Sequence, residues 1–238
     1  MPRDRWPPAL SAIQTIHDRY QREVVEGLGL CPFARRSREL GRVHRPVYIA
    51  GAGDDPEPEL VAEELGALVG EHDDAEIILL TFPTPPEHPW MEPARFERFL
   101  GRLRESWEAL PPPRPFYMVS FHPRALLPTD RALTADSLVS LIRRSPDPVI
   151  QCVDAGVLDR VRKQAQASAR QRMLDELQAK DPALAALFER SITPDPELSS
   201  EIARTNFQAH GEGQGRVELE RALAAIHEAR DHAYGLSD

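Results

Sequence analysis

Glu76-Ile77-Ile78-Leu79-Leu80-Thr81-Phe82 is the stretch on which the fold turns. After Glu76 it carries no charge and no wet face, so it reads as a strand covered on both sides. A strand of that kind needs helices above and below it, and the flanking sequence supplies them. Upstream, Leu60, Val61, Leu65, Leu68 and Val69 form a helical stripe ending at Gly70. Before it, Val43 to Ala50 predicts a first strand, closed by the turn-rich Gly51-Ala52-Gly53-Asp54-Asp55-Pro56. Downstream, a proline-rich loop from Pro83 to Pro93 leads into the stripe Phe96, Phe99, Leu100, Leu103, Trp107 and Leu110. Pro111-Pro112-Pro113 stops that helix.

Phe116 to Phe121 predicts a third strand and Val149 to Val153 a fourth, with a short helix from Ser137 to Arg143 between them. At the N-terminal side, Leu10, Ile13, Ile16, Tyr20, Val24 and Leu28 recur at three- and four-residue steps, one face of a helix that Gly27 and Gly29 end. Ser11 and Gln14 suggest a capping box at its start. Beyond Gly156 the pattern is helical, over 157–177, 182–189, 197–210 and 217–234, with Gly211 to Gly215 expected as a flexible linker. The order β-α-β-α-β predicts an α/β (or α+β) protein: a small mixed, mainly parallel sheet of about four strands, packed helices and a helical C-terminal third. Residues 8–190 are expected to form the α/β domain, with 191–238 a helical extension packed on it.

Composition narrows the partners. The chain of 238 residues has 38 acidic against 29 basic side chains, a net charge of −9. That field repels phosphate backbones, and no basic block overrides it, so nucleic acid is not an expected partner. Two distant cysteines, Cys31 and Cys152, suit a reducing cytoplasm better than a disulfide framework. No apolar run reaches the roughly 18 residues of a membrane span, and no signal-peptide pattern opens the chain. The histidines show no zinc-ligand spacing, and Gly51-Ala52-Gly53 lacks the third glycine of a dinucleotide fingerprint. Neither a metal nor a cofactor is therefore expected.

Three short motifs carry a resemblance. Val24 to Ala34, containing Leu30-Cys31-Pro32-Phe33-Ala34, looks like the entry signature of an uncharacterised bacterial family catalogued as domain of unknown function 1415. Ser120-Phe121-His122-Pro123 resembles that family's Ser-Phe-His-Pro strand end. Arg144-Ser145-Pro146-Asp147-Pro148 resembles its Asn-Arg-Ser-Pro-Tyr-Pro segment, with Arg143 at the Asn position and Asp147 at the Tyr position. The segment Ile202 to Asn206 is similar to a further short motif. The resemblance spans about residues 10–165 and implies positions of interest but no activity.

Those positions define a candidate Cys/His/Arg site. Proline after Cys31 places Pro32 at the first position of a helix and Cys31 at its N-cap, where amide N–H groups and Arg35 with Arg36 favour a thiolate. Such a thiolate suits a nucleophile, a redox group or a ligand; the alternative is a buried structural thiol. A Cys-Pro pair also occurs in thiolate-haem sites, a lesser alternative. His122 stands at the carboxyl end of the third strand, the edge where α/β sheets bind ligands. If the fourth strand is antiparallel to the third, Arg144 and Ser145 adjoin it. Histidine there offers a general base, Arg144 a fork for an anionic ligand, and Ser145 a turn cap. Cys152, inside an apolar run, reads as core. The expected function is a small-molecule enzyme or binding protein for an anionic ligand. The second reading is a non-enzymatic binding or assembly module with its C-terminal helices as the interface, where Ala and Leu alternate with charge through residues 216–230.

Overall fold

The computed structural model describes residues 6–53, 55–111, 114–125, 135–180 and 198–236. Its centre is the predicted strand, here β2 (Ile77–Thr81). To one side lies β1 (Val43–His44), paired parallel to it. To the other lies β4 (Val149–Asp154), antiparallel, and beyond β4 the strand β3 (Phe116–Phe121), again antiparallel to β4. The sheet order is β1-β2-β4-β3. Strands β1, β2 and β3 therefore point the same way, as the alternation of strands and helices predicted, but β4 is inserted between two of them. Two of the three pairings are consequently antiparallel.

The first strand is shorter than predicted. Pro46 has no N–H to give to a ladder, and regular pairing stops at His44. The chain nevertheless keeps following β2: Thr81 N–H donates to the Pro46 carbonyl, Tyr48 N–H to Thr81 and Ala50 N–H to Pro83.

Alternation along the strands sorts side chains onto two faces. Ile78, Leu80, Met118, Ile150 and Cys152 meet α3 (Pro58–Glu71) and α4 (Pro93–Glu108) in one core. The α4 stripe of Phe96, Phe99, Leu100, Leu103 and Trp107 is buried as predicted, and Phe82 packs among Tyr48, Trp90, Phe96 and Phe99. Cys152 is fully buried here, a core residue.

The opposite face looks toward a second helical layer: α1 (Leu10–Arg19), the π-helical turn Tyr20–Glu26, α2 (Ala34–Glu39), α5 (Ala135–Ile142), α7 (Leu198–His210) and α8 (Gly213–Ala233). Their apolar faces form their own cluster, with Ile13, Ile16, Tyr20 and Val24 against Leu138, Leu141, Leu219, Leu223 and Ile226. The Ala/Leu alternation of α8 is thus spent inside the molecule. The helix α6 (Ala155–Lys180) continues directly from β4, its first turn capped by Asp154 Oδ1, which accepts from Val157 N–H at 2.9 Å.

Several local expectations change. The N-cap of α1 is Ala9, without a side-chain bond, so Ser11 and Gln14 form no capping box. Leu10 is half exposed and lies off the buried face. The predicted linker at Gly211 to Gly215 is instead a tight corner: α8 begins at Gly213, whose φ is +60°, and a Cβ on Gly215 would strike the Ala209 carbonyl. The helix expected over 182–189 lies outside the described residues. Among the described residues no helix is long and apolar enough to cross a membrane.

Candidate functional site

Between the second face of the sheet and the second helical layer the two surfaces do not close. They enclose a cavity of about 380 Å³, within the roughly 300–1,000 Å³ range of small-molecule sites. Its floor is the row Leu79, Gln151, Val119, which are register partners across β2, β4 and β3, flanked by Ile77, Val153 and Val149. These are short side chains. From the helical side Tyr20 and Leu30 line the same space. An empty, closed void of this size would cost on the order of 9 kcal/mol at about 24 cal/mol per Å³, comparable with the whole stability of a domain. Such a space persists only where solvent or a ligand fills it.

The wall is built by the chain from His17 to Ala34 and by α5 and α7. A π-helical run is rare and concentrates at functional sites, and the seven residues Tyr20–Glu26 form one where α1 passes the cavity. The wider turn leaves Tyr20, Gln21 and Val25 on the lining. The chain then turns at Gly29 (φ +66°) and presents Leu30, Cys31, Pro32 and Phe33. This turn is clasped by α7: Asn206 Nδ2–H donates to the Leu30 carbonyl at 3.1 Å and His210 Nε2 to the Leu28 carbonyl at 2.8 Å.

Against this apolar lining a few polar groups stand out. Gln151, in the middle of the floor, has no side-chain hydrogen-bond partner among the described residues, and neither has the guanidinium of Arg143. Burial lowers the Arg143 pKa, opposed by the charge of Glu97. At another point of the wall His17 and Arg45 meet. Arg45 is held by Asp18 at 2.6 Å and by Gln21 at 2.7 Å. His17 Nε2–H donates to Asp147 Oδ2 at 3.0 Å. Asp147 is fully buried and also accepts from Arg230 Nε (3.0 Å) and Nη2 (2.8 Å) and from the Tyr234 hydroxyl (2.7 Å). Burial alone would raise the Asp147 pKa; the charge of Arg230 and the donors around it bring it below the usual carboxylate value. Burial outweighs the Asp147 bond at His17 and lowers its pKa, so the imidazole is neutral at pH 7. Because Nε2 carries the proton donated to Asp147, Nδ1 is the nitrogen with a lone pair, and it has no partner among the described residues.

The residues expected from sequence divide between this cavity and its surroundings. Cys31, Pro32 and Ser145 lie on the lining; His122, Arg144 and Arg35 do not. Helix α2 begins at Ala34, with Phe33 as its N-cap, so Pro32 is not at the first helical position and Cys31 is not the N-cap. Burial raises the Cys31 thiol to about 11, the amides of Phe33 and Ala34 opposing and Glu26 reinforcing the rise. Arg35 turns instead to Glu26, its Nη2 donating to the Glu26 carbonyl at 3.4 Å. A thiol that keeps its proton is a weak nucleophile, and it adds nothing to a thiolate-haem reading.

Strand β4 is antiparallel to β3, and the motif does adjoin His122: its N–H donates to the Arg143 carbonyl at 2.9 Å. Both ring nitrogens of His122 are nevertheless committed to backbone. Nε2 donates to the Trp90 carbonyl at 2.8 Å, and Nδ1 accepts from Arg124 N–H at 2.9 Å. Burial lowers its pKa, and its ring packs beside Phe96 of the first core. Arg144 donates twice to the Ala125 carbonyl at 3.3 Å, and Ser145 caps its own turn by donating to the Asp147 carbonyl. The residues that sequence reading passed over are His17, Gln21, Arg45, Arg143 as a contact, and Gln151.

Every segment that carried the family resemblance reaches this cavity: Leu30 to Ala34, Phe121, Arg143 with Ser145, and Ile202, Ala203 and Asn206. No family model, curated protein or solved structure matches the chain. Among the described residues no group of three or more His, Cys, Asp or Glu side chains is placed to hold a metal ion.

Proposed function

We propose that the protein binds a small amphipathic acid, an apolar body with one anionic head, in the cavity between its sheet and its second helical layer. One observation carries this reading: an apolar cavity of about 380 Å³ whose wall holds a guanidinium, Arg143, with no hydrogen-bonding or ion-pairing group of the described protein to satisfy it. The guanidinium is half-buried, burial already disfavours its charge, and an arginine fork suits the carboxylate or phosphate that would restore it. Gln151 gives a second, neutral contact from the floor. Cys31 serves as a wall residue in this reading, and His122 and Arg144 hold the loop behind it. The resemblance to domain of unknown function 1415 supports the same assignment, since its motif segments converge on this one cavity.

The test is a matched ligand series, octanoate, octanol and octylamine, read by thermal shift and calorimetry on the wild type, Arg143→Met and Val119→Trp. Octanoate should stabilise the wild type, by about 2.7 kcal/mol at a hundredfold excess over Kd, and octylamine should not. Arg143→Met should reduce octanoate to the level of octanol, and Val119→Trp should abolish binding of both by filling the floor. Equal response to all three ligands, or none, overturns the proposal.

A further inference from the structure

The amphipathic acid of the proposed function meets a second group on the same wall, and the following inference rests on that reading. His17 lines the cavity with one ring nitrogen engaged by Asp147 and the other unengaged among the described residues. Asp147 is itself pinned by Arg230 and Tyr234, so the imidazole cannot rotate without breaking a buried network. We propose that His17 is the second cationic contact of the site: when an acidic ligand occupies the cavity, Nδ1 takes up a proton from solvent and the ligand is held by an imidazolium.

The surroundings argue for this assignment. Without ligand, the charges facing His17 oppose one another. Asp147 favours the charged ring, while Arg45 on the exit from β1 and Arg230 on α8 oppose it. Burial then decides for the neutral form. An anion in the cavity adds a negative charge in a space with few competing dipoles, where Coulomb interactions are strong. The Asp147 bond through Nε2 already suits an imidazolium, because both ring nitrogens are then donors. One proton is taken up per ligand, from solvent to Nδ1, and no other bond changes. Binding then strengthens as pH falls between the midpoint of the bound form and that of the free form, by up to about tenfold per pH unit. Above both midpoints it does not vary with pH.

The experiment is calorimetric titration of the full chain with octanesulfonate, whose acid group stays ionised throughout, in buffers of differing ionisation enthalpy from pH 6 to 8. Octanoate is run beside it. The expected result is uptake approaching one proton per ligand, lost in His17→Gln and retained in His227→Gln. His227 is the necessary control, being a histidine on α8 that feels Arg230, Asp231 and Asp147 but does not line the cavity. Binding without proton uptake, or uptake unchanged in His17→Gln, overturns the inference and leaves the amphipathic-acid reading standing. Failure of both anions to bind the wild type overturns that reading and this inference with it. If His17→Gln does not fold, the histidine Cε1–H resonances of the wild type, titrated with and without octanesulfonate, decide the matter. The His17 midpoint must rise on binding, and an unmoved midpoint refutes the assignment.

Discussion

Replacing Asp147 by Asn should destabilise the protein by about 3–5 kcal/mol, the cost of breaking a buried ion pair by removing one partner. The structure accounts for the size. Asp147 has no exposure, and Arg230 only 3%, so neither can turn to water. The carboxylate accepts four hydrogen bonds from Arg230, His17 and Tyr234. An Asn side chain removes the charge opposite Arg230 and points an NH2 donor at groups that are donors themselves. Arg230 keeps only the Thr84 carbonyl (2.7 Å) and the half-exposed Asp231 (2.8 Å). For a chain of this length each kcal/mol lowers Tm by about 2–4 °C, so a drop of roughly 6–20 °C is expected. Urea denaturation of Asp147→Leu, Arg230→Met and the double variant Asp147→Leu/Arg230→Met, run beside Asp147→Asn, measures the coupling. The double variant should recover much of the loss, because apolar replacements of a buried pair are often neutral. A loss below about 1 kcal/mol in Asp147→Asn, or additive losses in the double variant, would refute the claim that this network fastens α8 and α1 to the lead-in of β4.

Three further outcomes follow from the same geometry. His17, His44, His122 and His227 are all held below the usual histidine pKa, chiefly by burial, so the unfolded chain binds more protons near pH 6.5. Stability should be full above about pH 7 and fall as pH drops toward 5, and a urea midpoint that stays flat or rises on acidification contradicts this. Cys31 should alkylate slowly below pH 9, faster than the fully buried Cys152, and octanoate should protect it; a fast reaction with a midpoint below about 8.5 would mean a thiolate is held there after all. Gly215→Ala should cost about 1–3 kcal/mol because the new Cβ meets the backbone at Ala209. Gly70→Ala, in open space at the end of α3, should be neutral or stabilise by up to about 1 kcal/mol, and similar losses in the two would remove the steric account of the α7–α8 corner.

The layers of the fold were legible because they follow from one-dimensional patterns. The uncharged run of β2 demanded cover on both faces, and the α4 stripe with its flanking prolines could be read residue by residue. Strand order was not legible. Antiparallel insertion of β4 between β2 and β3 depends on which edges find one another in space, and no local periodicity encodes it. The π-helical turn was equally hidden, since Tyr20, Val24 and Leu28 are spaced alike in α- and π-helical readings. The site was half legible. Cys31, Pro32 and Ser145 came from motif resemblance. His17 and Gln151 had a physical signal that was passed over: each is a polar residue within a buried apolar pattern, His17 between Ile16 and Tyr20 and Gln151 inside Val149-Ile150-Gln151-Cys152-Val153. Arg144 misled because charge in a loop reads as binding, whereas here it ties the loop at Ala125.

The two faces of the sheet make opposite uses of the same alternation, and the contrast bears on function. On the α3/α4 face large aromatic side chains close every gap around Phe82. On the other face the strands present mainly Val, Ile and Leu, with one Gln and with Tyr117 and Phe121 of β3, and the helices opposite satisfy their apolar faces among themselves. Had selection acted on stability alone, larger residues at Val119, Leu79 or Val153 would have filled the gap, and an apolar residue would have served at position 151, where the half-buried Gln151 makes no side-chain hydrogen bond among the described residues. Retaining small side chains, an amide and a guanidinium without protein partners around one space is a combination that packing does not favour at any of these positions. It becomes favourable together, when a molecule with an apolar body and an acidic head enters and supplies the missing contacts.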